Sequence, residues 1–206
     1  MSSEKSRQID FERKSRETEI RANLNIDGTG KVKIKTQIGL LDHMLELFAF
    51  HGYFDLDLEV KKADLNIDIH HTNEDVGIVL GKIFKKALDE KTGIRRFGQA
   101  SVPMETTLGS IVIDISGRGG LILNICEEES DIKEQDGYSI NYLEHFLESF
   151  AMNLGATIHA KIESPSQDLH ADLETIFKAL GLALDEATKI DPRRIQEVPS
   201  TKGIID

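Results

Sequence analysis

Two stretches of the chain carry the same order of imidazole and carboxylate groups. The first reads Asp42-His43-Met44-Leu45 and then His70-His71-Thr72-Asn73-Glu74. The second reads Glu144-His145-Phe146-Leu147 and then His170-Ala171-Asp172-Leu173-Glu174. Five of the seven histidines fall in these blocks, with 27 residues from His43 to His70 and 25 from His145 to His170. Such a repeat restricts the chain to two like halves packed as a unit, and its residue types predict one metal site made twice. One position breaks the match: Ala171 stands where the first copy has His71.

Hydrophobic periodicity gives each half the same order of elements. In the first, Thr18–Leu24 and Lys31–Lys35 read as strands around the Gly-rich turn Asp27-Gly28-Thr29-Gly30, a hairpin signal. Leu41, Met44, Leu45 and Phe48 form one stripe of a helix over Leu40–Phe50. Asp55–Val60 alternates as a strand, and Thr72 with Asp75 resembles an acidic capping box opening a helix that Thr92-Gly93 closes. In the second half the strands are Gly109–Ile115, Leu121–Ile125 and Ala156–Ile162, and the helices Tyr142–Met152 and Asp172–Thr188. The expected class is α+β: two duplicated strand-strand-helix-strand-helix halves, residues 1–92 and 93–190, with helices packed between two sheets. Glu127–Gly137 reads as an exposed insertion, and the tail 191–206, with Pro192 and Pro199, lies outside the repeat.

Composition narrows the partners. A formal net charge of −11 sets up a field that repels nucleic acid and anionic lipid, so neither is expected. A local basic pocket for a small anion remains compatible with it. Cys126 is the single cysteine, which rules out an internal disulfide and suits a reducing compartment. Met1 to Arg16 is too polar for a signal peptide, and no apolar run approaches the roughly 20 residues that span a bilayer. A cytoplasmic protein is expected.

His70 and Glu74, like His170 and Glu174, are four residues apart at the start of a helix, so each pair shares a face. Imidazole with carboxylate suits zinc, iron or manganese. One such pair is common on solvated helices. The doubled arrangement, preceded each time by a histidine on another helix, is far more specific.

These residues belong to a longer series of motifs. It runs through Arg13-x-Ser15-x-Glu17-Thr18, Leu41-Asp42-His43-Met44-Leu45, His51-Gly52 and His70-His71-Thr72-x-Glu74-Asp75-Val76. It continues with Gly93-Ile94-x-Arg96-Phe97-Gly98, Val102-Pro103-Met104, Asp114-x-Ser116-Gly117-Arg118 and Glu144-His145-Phe146, and ends with Phe177-Lys178-Ala179-Leu180 and Ser200-x-Lys202-Gly203. Over nearly its whole length the chain resembles imidazoleglycerol-phosphate dehydratase of histidine biosynthesis.

The resemblance implies a lyase that removes water from D-erythro-imidazole glycerol phosphate to give imidazole acetol phosphate. It also implies two Mn²⁺ sites. By matching position one ion takes His43, His71, His170 and Glu174; the other takes His70, Glu74, His145 and a histidine where this chain has Ala171, so the second site is depleted. The proton to be removed is not next to a carbonyl and is barely acidic. Metal coordination of the imidazole lowers the pKa of its N–H, and a carboxylate then takes the carbon-bound proton. Glu17 matches that base, and His43, His71 and Glu174 join it as expected catalytic groups. Arg96, Arg118, Ser200 and Lys202 match the phosphate contacts, the last two from the tail; arginine offers a bidentate fork to phosphate oxygens. His51 and His159, outside the repeated pairs, are expected to be structural. The family's metal sites lie between subunits of a large assembly of trimers, twenty-four chains in all. Thr106 and Gly119 are further departures, where the family has an acid and a proline. The alternative reading is a non-catalytic or altered-substrate relative that keeps the fold and one metal site.

Overall fold

The computed structural model describes residues 6–126, 134–166 and 168–205. Its N-terminal half comprises β1 (Gln8–Lys14), β2 (Glu19–Asn25), β3 (Val32–Lys35), α1 (Gly39–His51), β4 (Asp55–Lys62) and α2 (His70–Leu88). The C-terminal half repeats this order as β5 (Phe97–Met104), β6 (Thr107–Asp114), β7 (Gly120–Ile125), α3 (Ile140–Leu154), β10 (Thr157–Glu163) and α4 (Leu169–Thr188). A short hairpin, β8 (Glu134–Gln135) with β9 (Tyr138–Ser139), precedes α3. It accounts for the described part of the expected insertion; residues 127–133 lie outside the described set.

The α+β class and the duplication are as expected, with one added strand at the start of each half. β1 and β5 are edge strands; on β1 half-buried Ile9 and Phe11 alternate with the exposed charges Asp10 and Glu12. That charge made the N-terminal segment read as a polar extension.

Strand order also departs from the hairpin reading. The sheets run β1-β2-β4-β3 and β5-β6-β10-β7, so β4 lies between β2 and β3. β3 pairs with β4 in parallel, through a crossover over α1, and β7 pairs with β10 in the same way through α3. The core decides this order. Ile20, Ala22 and Leu24 of β2 pair with Val60, Leu58 and Leu56 of β4, all of them buried. The lysine-bearing β3 goes to the edge, where charge discourages further pairing. The turn at Asp27–Gly30 is held instead by Asp55 Oδ1, which accepts from Thr29 N at 2.8 Å and Lys31 N at 3.0 Å.

Helices fill the space between the two sheets, and they pack across the halves: α1 against α4, and α2 against α3. One apolar cluster therefore runs through both halves, centred on Phe48, Phe84, Phe146, Phe150 and Phe177. Glycines at equivalent places allow backbones to touch. A Cβ on Gly81 of α2 would lie 2.5 Å from Phe150 O of α3, and one on Gly181 of α4 would lie 2.3 Å from Phe48 O of α1.

The expected capping box at Thr72 and Asp75 is not formed. Thr72 Oγ1 accepts from Asp64 N at 3.0 Å, and Asp75 turns to Thr18 and Arg13. The cap comes from further upstream: Asp68 Oδ1 accepts from His70 N at 2.7 Å, as Asp168 Oδ1 accepts from His170 N at 3.1 Å. α2 thus begins at His70, and α4 one residue before His170.

Gly81→Ala tests the close packing. Alanine gains about 1 kcal/mol of helix propensity over glycine, but the added methyl must separate α2 from α3. A net loss of about 1–3 kcal/mol is expected, read as a fall in the thermal midpoint; an unchanged midpoint would contradict the backbone contact.

Candidate functional site

Cross-half packing brings the repeated ligands together in pairs of helices. Where α1 meets α4, His43 Nε2 lies 2.8 Å from Glu174 Oε1 and His170 Nε2 lies 3.1 Å from the same oxygen. The three ligand atoms sit within 4.8 Å of one another. Two imidazole nitrogens and a carboxylate oxygen at this separation suit a divalent first-row cation.

Glu174 is well supported. Its Oε2 accepts from Lys178 Nζ at 2.5 Å, one turn further along α4. The two oxygens thus have different tasks: one is pinned by the ammonium group and the other faces the histidines. Burial alone would push this carboxyl up. The hydrogen bonds from Lys178, His43 and His170, with the Lys178 charge, outweigh burial and pull it down to about 2. His51, expected to be structural, sits half-buried at the end of α1; its pKa is lowered, first by burial and then by the Lys178 charge. His159 is exposed on the outer face of β10.

The equivalent place between α2 and α3 is looser. His70 Nε2 is 3.5 Å from Glu74 Oε2, and the His70 and His145 rings have centroids 4.5 Å apart. A surface cavity of about 830 Å³ opens beside them, bounded by Ser139, Tyr142 and Glu144. Ala171 is buried on α4 and offers no ligand atom.

His71 does not join His43, His170 and Glu174 within the chain. Its Nδ1 lies 2.9 Å from Asp64 Oδ2, and Glu17, Asp64 and His71 form a second group with ligand atoms within 4.8 Å. The hydrogen bond with Asp64 raises the His71 pKa, and Glu17 adds to the effect. Glu17 itself is exposed on the turn between β1 and β2.

The expected phosphate contacts lie on adjoining loops. Arg96 gives a fork to Asp114 (Nε–Oδ1 2.7 Å, Nη2–Oδ2 3.1 Å), while its Nη1 donates to Pro199 O at 3.1 Å, next to Ser200. Its carbonyl accepts from Ile115 N at 3.1 Å, which brings in the loop that carries exposed Arg118. Lys202 is exposed, and its backbone N donates to Ser200 Oγ at 3.2 Å. The tail folds back over this region through Gly93 N to Glu197 O and Asp191 N to Gly93 O.

The family model for imidazoleglycerol-phosphate dehydratase matches residues 36–184. Enzymes of that name from Geobacter metallireducens and Thermoanaerobacter pseudethanolicus are 46% and 47% identical, over 96% and 97% of this chain and 98% and 100% of their own length. This chain belongs to the imidazoleglycerol-phosphate dehydratase family. Solved structures agree. The Staphylococcus aureus dehydratase superposes with a TM-score of 0.77 at 29% identity, covering 89% of this chain and 99% of that one. IGPD from Pyrococcus furiosus gives 0.75 at 34%, covering 94% and 99%.

Two residues of this site carried no assigned role in the sequence reading. Lys178 had a signal in its four-residue spacing from Glu174, which places both on one helix face. Asp64 had none: its contact with His71 depends on how the chain leaves β4.

Removing the Lys178 ammonium isolates its electrostatic effect. With Glu174 at about 2, the carboxylate is ionised across the working range. In Lys178→Met, burial is less opposed, the pKa rises and protons compete for the ligand in mild acid. The ratio of Mn²⁺ affinity at about pH 5 to that at about pH 7.5 should therefore fall several-fold relative to wild type, measured by calorimetry. An unchanged ratio would show that Lys178 does not control this carboxylate.

Proposed function

We propose that this chain dehydrates D-erythro-imidazole glycerol phosphate to imidazole acetol phosphate, in histidine biosynthesis, and does so with bound Mn²⁺. The observation that carries the reading is the convergence of His43, His170 and Glu174 from opposite halves, within a chain related over nearly its full length to enzymes of that name. That kinship favours a working dehydratase over a non-catalytic relative.

His43, His170 and Glu174 hold one ion and His70, Glu74 and His145 the other. A cation bound there supplies Lewis acidity that polarises the substrate imidazole. Glu174, kept anionic by Lys178, offers a charged ligand at any working pH. Glu17 accepts the carbon-bound proton, and it begins that step as the exposed carboxylate of a tight turn. Arg96, Arg118, Ser200 and Lys202 take the phosphate; Arg118 and Lys202 bring exposed charge, whereas Arg96 is already forked to Asp114.

His71 completes a metal site only from a second chain, because its own fold directs it to Asp64. This supports self-association into the twenty-four-subunit assembly of trimers that the family resemblance implies. Large apolar side chains left exposed at equivalent places in the two halves, Phe50 at 61% and Met152 at 57%, supply surface for such contacts. Among the described residues no helix is long and apolar enough to cross a membrane.

Ala171 makes the two ion sites unequal. Manganese titration of the assembled protein is expected to show one tight and one weaker ion per chain, differing at least about tenfold, the range typical of losing even an outer partner of a metal ligand. Ala171→His should narrow that gap; two equal tight sites in the natural chain would contradict the depleted site. Glu17→Gln should abolish most turnover of imidazole glycerol phosphate while leaving manganese stoichiometry unchanged. Full turnover in that variant would remove Glu17 as the base.

A further inference from the structure

We infer that Asp75 is a positioning residue for the Glu17 carboxylate, acting through Thr18 and Arg13; the inference rests on the proposed role of Glu17. Asp75 lies one residue after Glu74 on α2, is buried, and points away from the ligand face. Its Oδ2 accepts from Thr18 Oγ1 at 2.5 Å and pairs with Arg13 Nη1 at 2.5 Å. Those two residues bracket the turn that bears Glu17. Inside the turn, Ser15 Oγ accepts from Glu17 N at 3.1 Å and from Thr18 N at 3.0 Å, and Lys62 Nζ donates to Arg16 O. The backbone is therefore tied down on both sides of Glu17, although its side chain is exposed. A carboxylate on an untethered turn would sample many positions. This one is fixed to the helix that carries His70, His71 and Glu74.

The duplication provides an internal control. Register pairs Ile20 with Val60 and Gly109 with Ile162 at the same level of the two sheets, which makes Thr107 the equivalent of Thr18 and Thr106 that of Glu17. Arg13, opposite Ile20, corresponds to Val102, opposite Gly109. Asp75 corresponds to Thr175, whose hydroxyl donates to Asp172 O at 2.7 Å, and the Thr107 hydroxyl is buried without a partner among the described residues. The second half thus builds the same strand pair and helix with neither the carboxylate nor the clamp. The fold does not require the clamp; it accompanies Glu17.

The test compares Asp75→Asn, Thr18→Val, Thr107→Val, Glu17→Gln and the Asp75→Asn/Glu17→Gln double variant as assembled, manganese-loaded enzymes. Misplacing a reacting group by an ångström costs on the order of 100-fold, so Asp75→Asn and Thr18→Val are expected to lower kcat by about 10- to 100-fold, with KM and Mn²⁺ affinity moving less than about threefold. Thr107→Val, which removes the matching hydroxyl from the unclamped half, should leave kcat within about twofold. Once Glu17→Gln is present, Asp75→Asn should add nothing to the loss. An equal further loss in that background, or a joint fall of kcat, KM performance and manganese affinity, would overturn the inference and make Asp75 a structural residue. Should Asp75→Asn fail to assemble, Thr18→Val decides by the same criteria. Full kcat in Glu17→Gln alone would be a different outcome, overturning the base assignment itself.

Discussion

Backbone contact between helices of opposite halves is the constraint on which the site depends. Gly181 lets α4 reach Phe48 of α1, and Gly81 lets α2 reach Phe150 of α3. At that distance a histidine from one half and a His–Glu pair from the other share a space only a few ångströms across. Neither half holds a complete set. His43 without α4 is a lone half-exposed imidazole, and His170 with Glu174 is an ordinary helix pair. The apolar cluster that buries Phe48, Phe150 and Phe177 at this junction therefore also sets the ligand geometry. A close-packed core resists even one extra methylene, so it holds ligands more rigidly than surface loops would.

Electrostatics then distinguish the two junctions. At α1/α4, three partners converge on Glu174 and overcome the cost of burying its charge. Breaking such a cluster would leave a buried carboxylate uncompensated, which is why Lys178 bears on the metal ligand and not only on the surface. At α2/α3, Glu74 is half-exposed and 3.5 Å from His70, and among the described residues no ammonium group pins its second oxygen. Solvent does there what Lys178 does on the other side. The looser site is also the one whose expected fourth ligand is replaced by Ala171.

Local patterns were legible where one face or one turn decides them. Leu41, Met44, Leu45 and Phe48 were read as a core stripe, and all are buried. The doubled histidine blocks announced both junctions, because repetition marks residues that a single copy would leave ambiguous. Strand order was not legible: whether β3 pairs with β2 or β4 depends on a crossover and on burial in a sheet not yet built. The edge strand β1 was hidden by its charges, and β5 by Gly98 and Pro103, which interrupt a strand pattern. Asp75 was misread as part of a cap because its real partner, Thr18, lies 57 residues upstream. His71 was grouped with His43 by family position, yet the loop leaving β4 gives it Asp64, a contact that sequence spacing does not encode.

The differences between the halves follow a common logic. Duplication supplies two copies of every loop and helix start, while folding needs only the strands, the capping aspartates and the packing glycines in both. Those features persist: Asp68 with Asp168, and Gly81 with Gly181. The groups that differ are the ones a fold does not need twice, namely Glu17 against Thr106, Asp75 against Thr175, and His71 against Ala171. All three retained polar groups lie on one half, along one edge where the β1–β2 turn meets the start of α2. Under the proposed chemistry that edge does the proton transfer, and the matching edge of the other half is free to drift. The Thr107 hydroxyl, buried with no hydrogen-bond partner among the described residues, marks that unclamped edge, its desolvation cost offset by the rest of the core.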